Sequence, residues 1–257
     1  MKTAPLLTIV TISRNDGEGL RRTLQSAYRL RENPLVEQIV IDGSDAEYPT
    51  PALPEGVRYE RRPPKGVSDA FNAGLSASQG QWIWFLNGGD AAHPDLDVSV
   101  LLGVLRATKA GTVVFNVEVG EGKLGFRPPV SKLWPPADNW LFHQGVVMRA
   151  SLLRKCGGFS TSYRIAADFN LLIRAVADGM TTDILDMPIA VFAEGGLSSQ
   201  RVPMTREALE ILLRHFPRLF AHSLMNLLRL PYQLLALTGI GYLGLRPRNL
   251  RRPRSTP

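Results

Sequence analysis

Three short apolar runs, each closing on a polar cluster with a carboxylate, constrain this chain more than any other feature. Leu6 to Ser13 (LLTIVTIS) runs into Arg14-Asn15-Asp16, Glu37 to Asp42 (EQIVID) into Gly43-Ser44-Asp45, and Gln81 to Leu86 (QWIWFL) into Asn87-Gly88-Gly89-Asp90. Between the first two, Leu20, Leu24 and Ala27 fall on one face of a helix and Arg21, Arg22 and Gln25 on the other, with Asn15 or Asp16 as its cap. A second helix reads over Gly66 to Ser78. Buried strands alternating with amphipathic helices predict βαβ units and an α/β fold with a mixed, mostly parallel sheet flanked by helices. In an open sheet of this kind ligands collect beyond the carboxyl ends of the strands. The three polar clusters therefore outline one crevice.

The rest of the chain continues the rhythm and then breaks it. Pro49, Pro51 and Pro54 make a loop before an edge strand at Val57 to Glu60, and the helix Leu96 to Lys109 leads into the strand Thr112 to Val119. Residues 120 to 140, rich in Gly and Pro, form a long loop that carries Trp134 and Trp140 and is long enough to suggest a functional surface. Beyond it the pattern predicts a strand at His143 to Met148, a short helix at Ser151 to Cys156 and a helix at Ala167 to Ala177 with Phe169, Leu172, Ile173 and Val176 inward. A strand at Thr182 to Phe192 ends at Glu194-Gly195-Gly196. Trp82 and Trp84 alternate in a buried strand and read as core, while His93, His215 and His222 stand isolated as surface or packing residues.

Composition bounds what such a chain does. With 257 residues, 44% of them hydrophobic and 21% charged, it buries a sizeable core, which excludes a disordered tail or a disulfide mini-domain. The lone Cys156 and the missing leader pattern point to a reducing compartment, the cytoplasm. The net charge of +7 is uneven: residues 201–257 hold ten Arg against Glu207 and Glu210, a net of +8, which leaves −1 for residues 1–200. Two domains follow, a catalytic unit at 1–200 and a basic amphipathic helical tail at 201–257. In the tail Leu209, Leu212, Leu213 and Phe216 form a stripe, and Leu230 to Leu245 is the most apolar run, shorter than the ~20 residues needed to span a bilayer. Alternating Arg and Leu-rich runs favour an anionic membrane surface, on the inner face of the cell membrane, over nucleic acid. The other reading of the tail is a helix packed on the catalytic unit with a free Arg-rich end. Gly239 to Gly244 fits G-x-G-x-x-G but has no strand before it or helix after it, so it is coincidental.

At the strand ends, Asp16 and Asp45 read as helix caps. Asp42 and Asp90 follow central runs and read as ligand groups: Asp42 as an acceptor for a nucleobase or ribose, Asp90 as a ligand for Mg²⁺ or Mn²⁺ bridging a diphosphate. In order, TIVTISRND, VIDGSD, KGVSDAFNAGLSASQGQWIWFLNGGD, HQGVVMRASLLRKCGGFSTSYRIAADFNLLIR and EGGLS resemble family 2 inverting glycosyltransferases of the GT-A fold, particularly bacterial exopolysaccharide enzymes, over residues 6–200.

The resemblance implies a nucleotide pocket lined by Thr11, Ser13 and Asn15, with Asp42 on the base. Asp69 and Asn72 belong to the segment that closes over nucleotide and sugar, and Asn87 offers a neutral oxygen to the metal beside the diphosphate. It further implies Asp90 as the metal carboxylate, Asp168 as general base, Gly195, Gly196 and Ser198 beside the diphosphate, and His143 and Gln144 facing the acceptor. The chain departs from the family pattern in three places. Its metal motif keeps one carboxylate, Ala167 stands where an acidic residue often precedes the base, and the second strand's end is one residue short, so Asp42 aligns with either of two family carboxylates. Spacing alone also allows Asp168 to be an N-cap and His143 a structural strand residue. The implied reaction is sugar transfer from a nucleoside-diphosphate sugar to a hydroxyl of a lipid-linked or polysaccharide acceptor, with inversion. A catalytically silent nucleotide- or glycan-binding module of the same fold is the alternative. A nucleotidyltransferase is disfavoured because strand one lacks a following Gly-rich basic loop.

Overall fold

The computed structural model describes residues 4–119, 123–125, 142–193 and 201–215. Its first half is the expected βαβ succession. Strand β1 (Leu7–Ser13) is followed by α1 (Gly17–Ser26), the short α2 (Tyr28–Arg31), β2 (Val36–Asp42), the edge strand β3 (Val57–Arg61), α3 (Val67–Ala77) and β4 (Trp82–Phe85). Strand β1 pairs in parallel with both β2 and β4, and β2 with β3, so the carboxyl ends of β1, β2 and β4 open on one side.

The second half converts the sheet to a mixed one. Strand β5 (Ala91–Ala92), α4 (Val98–Ala107), β6 (Thr112–Val119) and β7 (Lys123–Gly125) precede β8 (Val146–Arg149), α5 (Ala150–Lys155), α6 (Ala167–Ala177), β9 (Thr182–Phe192) and α7 (Arg201–His215). Among the described residues the strands form one sheet in the order β3-β2-β1-β4-β8-β6-β9-β5, with β7 added to β6. Strand β8 runs antiparallel to both β4 and β6, whereas β6 and β9 are parallel.

Period-two alternation splits the core between the two faces of this sheet. Leu7, Ile9, Trp82, Trp84 and Phe115 pack under α2 and α4, while Leu20 and Leu24 of α1 pack on Val40. Val10, Ile83, Phe85, Val146 and Met148 pack under α3, α5, α6 and α7. Both tryptophans are fully buried, as expected, and each indole N–H has a partner, Trp82 to the Leu105 carbonyl at 2.9 Å and Trp84 to the Gln144 carbonyl at 2.7 Å. Asp16 is the cap of α1, accepting from the Gly19 amide at 2.8 Å.

Several local expectations are corrected. The strand expected from His143 begins only at Val146, because a 3₁₀ turn occupies His143–Gly145. The Gly145 amide closes on the Phe142 carbonyl and Trp84 takes the Gln144 carbonyl, so neither group joins a ladder. His93 is not isolated: it is buried, with Nε2 3.0 Å from Glu118 Oε2 and Nδ1 accepting from the Asp95 amide. Asp45 caps no helix, and bonds Asn15 instead. On α7 Ala208 and Ile211 are buried and Leu209 is half-buried, while Leu213 is 39% exposed, so of the expected stripe Leu213 faces outward; the side chain of Leu212 and Phe216 lie outside the described residues. Among the described residues no helix is long and apolar enough to cross a membrane. The loop at 126–141, Gly195, Gly196, Ser198 and the tail from Phe216 lie outside the described residues.

Candidate active site

The turn after β4 is held from below by a residue on α1. Thr23 lies in the apolar face of that helix, fully buried, with its hydroxyl 2.6 Å from the Asp90 carbonyl and 2.9 Å from the Asn87 carbonyl, and it accepts from the Gly89 amide at 3.0 Å. Gly89 sits at φ 98°, in the left-handed region that a side chain resists, which is why glycine occupies this point of the turn. The clamp fixes where Asn87 and Asp90 stand relative to the crevice.

Asp90 is 3% exposed, and both its oxygens are engaged: Oδ2 accepts from Gln144 Nε2 at 2.7 Å and Oδ1 from the Ala193 amide at 2.9 Å. Burial pushes its carboxyl above the usual aspartate value, against the opposing pull of those bonds and of His143. Two buried oxygens nearby, Asn87 Oδ1 and Gln144 Oε1, have no hydrogen-bond partner. One carboxylate with neutral amide oxygens is a hard-oxygen donor set, and it fits Mg²⁺ or Mn²⁺ provided that substrate phosphates complete the shell. Among the described residues no group of three or more His, Cys, Asp or Glu side chains is placed to hold a metal, so protein carboxylates alone do not make the site.

Asn87 Nδ2 lies 3.0 Å from His143 Nε2, and His143 Nδ1 lies 3.5 Å from Asp168 Oδ2. With the Asn87 amide donating to Nε2, the network assigns the imidazole proton to Nδ1, facing the carboxylate. The ring leans edge-on against Phe71, at 5.7 Å between centroids, within the aromatic group of Phe71, Phe85 and Phe159. Asp168 stands in the first turn of α6, partly exposed, and its Oδ1 accepts from the Phe169 amide. It is not the N-cap, a position held by Ala166. Asn87, Asp90, His143, Gln144 and Asp168, drawn from three separate stretches of sequence, thus form one connected group.

Other expected contacts are spent inside the fold. Thr11 is fully buried and accepts from Gln38 Nε2 at 3.0 Å. Asp42, 2% exposed, receives the Ser44 amide at 2.9 Å and hydroxyl at 2.5 Å on Oδ1, and Tyr59 Oη at 2.6 Å with Arg61 at 3.1 Å on Oδ2. Burial works against the charge on Asp42, but the bonds from Ser44, Tyr59 and Arg61 outweigh it and hold the carboxyl below the ordinary range. Asn72 makes a reciprocal pair with the Phe159 backbone, donating to its carbonyl at 2.9 Å and accepting from its amide at 2.8 Å. Asp69 lies in the first turn of α3.

The crevice side of β1 and β2 is closed by a clasp. Asn15, at φ 51°, donates to Asp45 Oδ2 at 2.6 Å, takes the Asp45 amide at 3.0 Å, and donates its own amide to Ser44 Oγ. Arg14 lies 3.5 Å from Asp45, and Ser13 Oγ contacts the Asp16 carbonyl. Of the residues expected to line a nucleotide pocket, Ser13 and Asn15 remain at the surface of the crevice, whereas Thr11 and Asp42 are buried beneath it.

Comparison with known proteins agrees with this architecture. The chain is 29% identical over 214 residues to the uncharacterized glycosyltransferase Rv1514c of Mycobacterium tuberculosis, covering 79% of this chain and 80% of that one. It is 27% identical over 202 residues to the succinoglycan biosynthesis protein ExoO of Rhizobium meliloti, covering 68% and 57%. The mannosyltransferase PcManGT of Pyrobaculum calidifontis, solved with GDP-Man and Mn²⁺, shares the fold with a TM-score of 0.61 at 14% identity, over 95% of this chain and 77% of that one. The sheet, the crevice at its strand ends and the match of residues 8–167 to the glycosyl transferase family 2 model together place the chain in that family.

Proposed function

We propose that this protein transfers a sugar from a nucleoside-diphosphate sugar to a hydroxyl of a lipid-linked or polysaccharide acceptor, with inversion at the anomeric carbon, in cell-surface polysaccharide synthesis at the cytoplasmic face of the membrane. The observation that carries the reading is the Asn87–His143–Asp168 chain of contacts, which ties a partly exposed carboxylate to the strand end where a donor diphosphate would sit. Asp168 takes the proton from the acceptor hydroxyl as that oxygen attacks the anomeric carbon from the face opposite the leaving diphosphate. His143, its Nδ1 toward Asp168, orients that carboxylate and shares the charge of its ionised form. The crevice rim at Ser13 and Asn15 receives the nucleotide, with Thr23 and the Asp42 cluster fixing the loops beneath it.

Asn87 and Asp90 would hold a divalent cation, which when bound neutralises charge growing on the departing diphosphate. Gly195, Gly196 and Ser198 are assigned to the diphosphate side by the family pattern. ExoO, a polysaccharide biosynthesis protein, and PcManGT, with its GDP-Man, support the acceptor and donor classes. The second reading, a silent binding module, draws on the Asp90 carboxylate being already engaged by Gln144 and Ala193.

Calorimetric titration with UDP, GDP and dTDP, with and without Mn²⁺, separates these readings when run on the wild type and on Asp90→Asn. Transfer predicts Mn²⁺-strengthened binding of one nucleotide, weakened in the variant. Well-folded protein that binds a nucleotide equally with and without Mn²⁺, and turns over none of its sugar conjugates, would establish the module instead.

A further inference from the structure

The α6 helix that carries Asp168 begins without a cap of its own. Its N-cap residue is Ala166, whose side chain accepts nothing, yet the backbone amides there point to a single carboxylate. That carboxylate is Glu207 of α7: Oε1 accepts from the Arg164 amide at 3.1 Å, and Oε2 accepts from the Ile165 amide at 2.9 Å and the Ala166 amide at 2.8 Å. An anionic group on successive backbone N–H groups at a helix start is favourable on both hydrogen-bonding and dipole grounds. Helix α7 lies outside residues 8–167, which match the family model, so nothing in that match supplies this contact.

Docking fixes the rotation of α7 as well as the start of α6. Ala208 and Ile211 are buried, and Ile211 joins the core group that includes Ala166, Ala167 and Leu171. Asp168 follows Ala166 by two residues, so the backbone that Glu207 holds is the backbone that aims Asp168 at His143.

We infer that Glu207 is a positioning residue for Asp168, and that the helix after the nucleotide-binding part of the chain is a working component of the active site. The inference rests on the assignment of Asp168 as the base. Glu207 touches no reacting group; it sets the register of the α6 N-terminus, and reacting groups misplaced by about 1 Å cost on the order of a hundredfold in rate.

The test uses the full chain with ¹⁵N-labelled histidine and the variants Glu207→Ala, Glu207→Gln, Asp168→Asn and, as a control on the same helix, Glu210→Gln. At one fixed pH, the ring ¹⁵N signals of His143 report its contact with Asp168 without any substrate. Glu207→Ala should move them toward those of Asp168→Asn, Glu207→Gln should restore them in part because its amide oxygen still accepts, and Glu210→Gln should leave them in place. Release of nucleoside diphosphate from UDP-glucose, UDP-N-acetylglucosamine, GDP-mannose and dTDP-rhamnose is then measured as hydrolysis, with water taking the sugar in place of the acceptor hydroxyl, and the turned-over donor is used for kinetics. Glu207→Ala should lower kcat about tenfold or more while changing KM for the donor less than about twofold, the signature of lost geometry at the reacting groups. Folded Glu207→Ala with wild-type His143 signals and wild-type kcat overturns the inference, as does an equal change in kcat and KM. If Asp168→Asn is inactive while both Glu207 variants are normal, only the positioning role falls. If Asp168→Asn turns over normally, the base assignment falls and takes the positioning role with it.

Discussion

Asp42 and Asp90 are both buried strand-end carboxylates, and their surroundings give them opposite thermodynamic signs. Asp42 is held below its ordinary value of 3.8, so its contribution to stability is fully present above pH 3.8 and disappears as pH falls through the depressed value. Replacing it with Ala removes the acceptor of the Tyr59 hydroxyl, while Arg61 keeps the Tyr48 carbonyl and Tyr59 Oη, so the loss at the Tyr59 hydroxyl costs about 1–2 kcal/mol at neutral pH. Thermal melts at pH 7 and pH 3 check this: the difference between wild type and Asp42→Ala should narrow at the lower pH. Asp90 is pushed above 3.8, so whatever stability it contributes is present when it is protonated and is lost as pH rises through the raised value. Asp90→Asn should therefore be as stable as the wild type at pH 7 or more so. The Gln144 amide can turn its unpartnered Oε1 toward the new donor, and only metal-dependent nucleotide binding should weaken. At Asp168 the expected result is reversed. Asp168→Asn caps nothing it did not cap before, so its melting temperature should stay near wild type, while kcat for sugar transfer falls about 10²–10⁴-fold.

Between residues and the sheet stand turns that the sequence pattern describes poorly. The strands β1, β2, β3, β4, β6 and β9, whose signal is a run of adjacent apolar residues, were legible to within about a residue, and so was the α6 helix, whereas the short β5 and β7 and the late start of β8 were not. Of the candidate site, Asn87 and Asp90 were legible at a strand end, because chain order alone gathers such ends in a parallel sheet, whereas His143, Gln144 and Asp168 were named only by the family pattern. What could not be read was which polar side chain bonds which backbone group. Asp42 looked like a ligand carboxylate because its partners Tyr59 and Arg61 lie on an edge strand whose pairing with β2 no local pattern announces. Thr23 left only a faint signal, a hydroxyl within an otherwise apolar helix face, and Glu207 left none, since its partners are backbone amides.

The turn after α5 belongs to the same class of feature. Gly158 sits at φ 70°, and a Cβ there would come within 2.4 Å of Asn72 Oδ1, the atom that receives the Phe159 amide. Arg174 tightens the turn by donating to the Gly158 carbonyl at 2.5 Å and to the Cys156 carbonyl. Gly158→Ala should combine backbone strain with a broken Asn72–Phe159 pair and destabilise by about 2–4 kcal/mol, readable as a lower denaturant midpoint at unchanged slope.

At the scale of the whole molecule, charge is the property that separates the chain's parts. Arg218, Arg229, Arg246, Arg248, Arg251, Arg252 and Arg254 follow the last described helix, with no Asp or Glu among residues 216–257. Under the proposed function, a near-neutral unit at 1–200 joined to such a segment would suit an acceptor that resides in or on an anionic bilayer, because each Arg near that surface contributes about 1 kcal/mol. Full-length protein should therefore sediment with vesicles containing anionic phosphatidylglycerol, and binding should weaken steeply as salt shortens the Debye length. Changing Arg246, Arg248, Arg251, Arg252 and Arg254 together to Gln should abolish that sedimentation and leave nucleotide affinity unchanged. Equal binding to neutral phosphatidylcholine vesicles, or none to either kind, would favour the tail as a helix packed on the catalytic unit. The role of Glu207 makes the distinction consequential, since α7 is the element through which a membrane-bound tail would meet the α6 helix bearing Asp168.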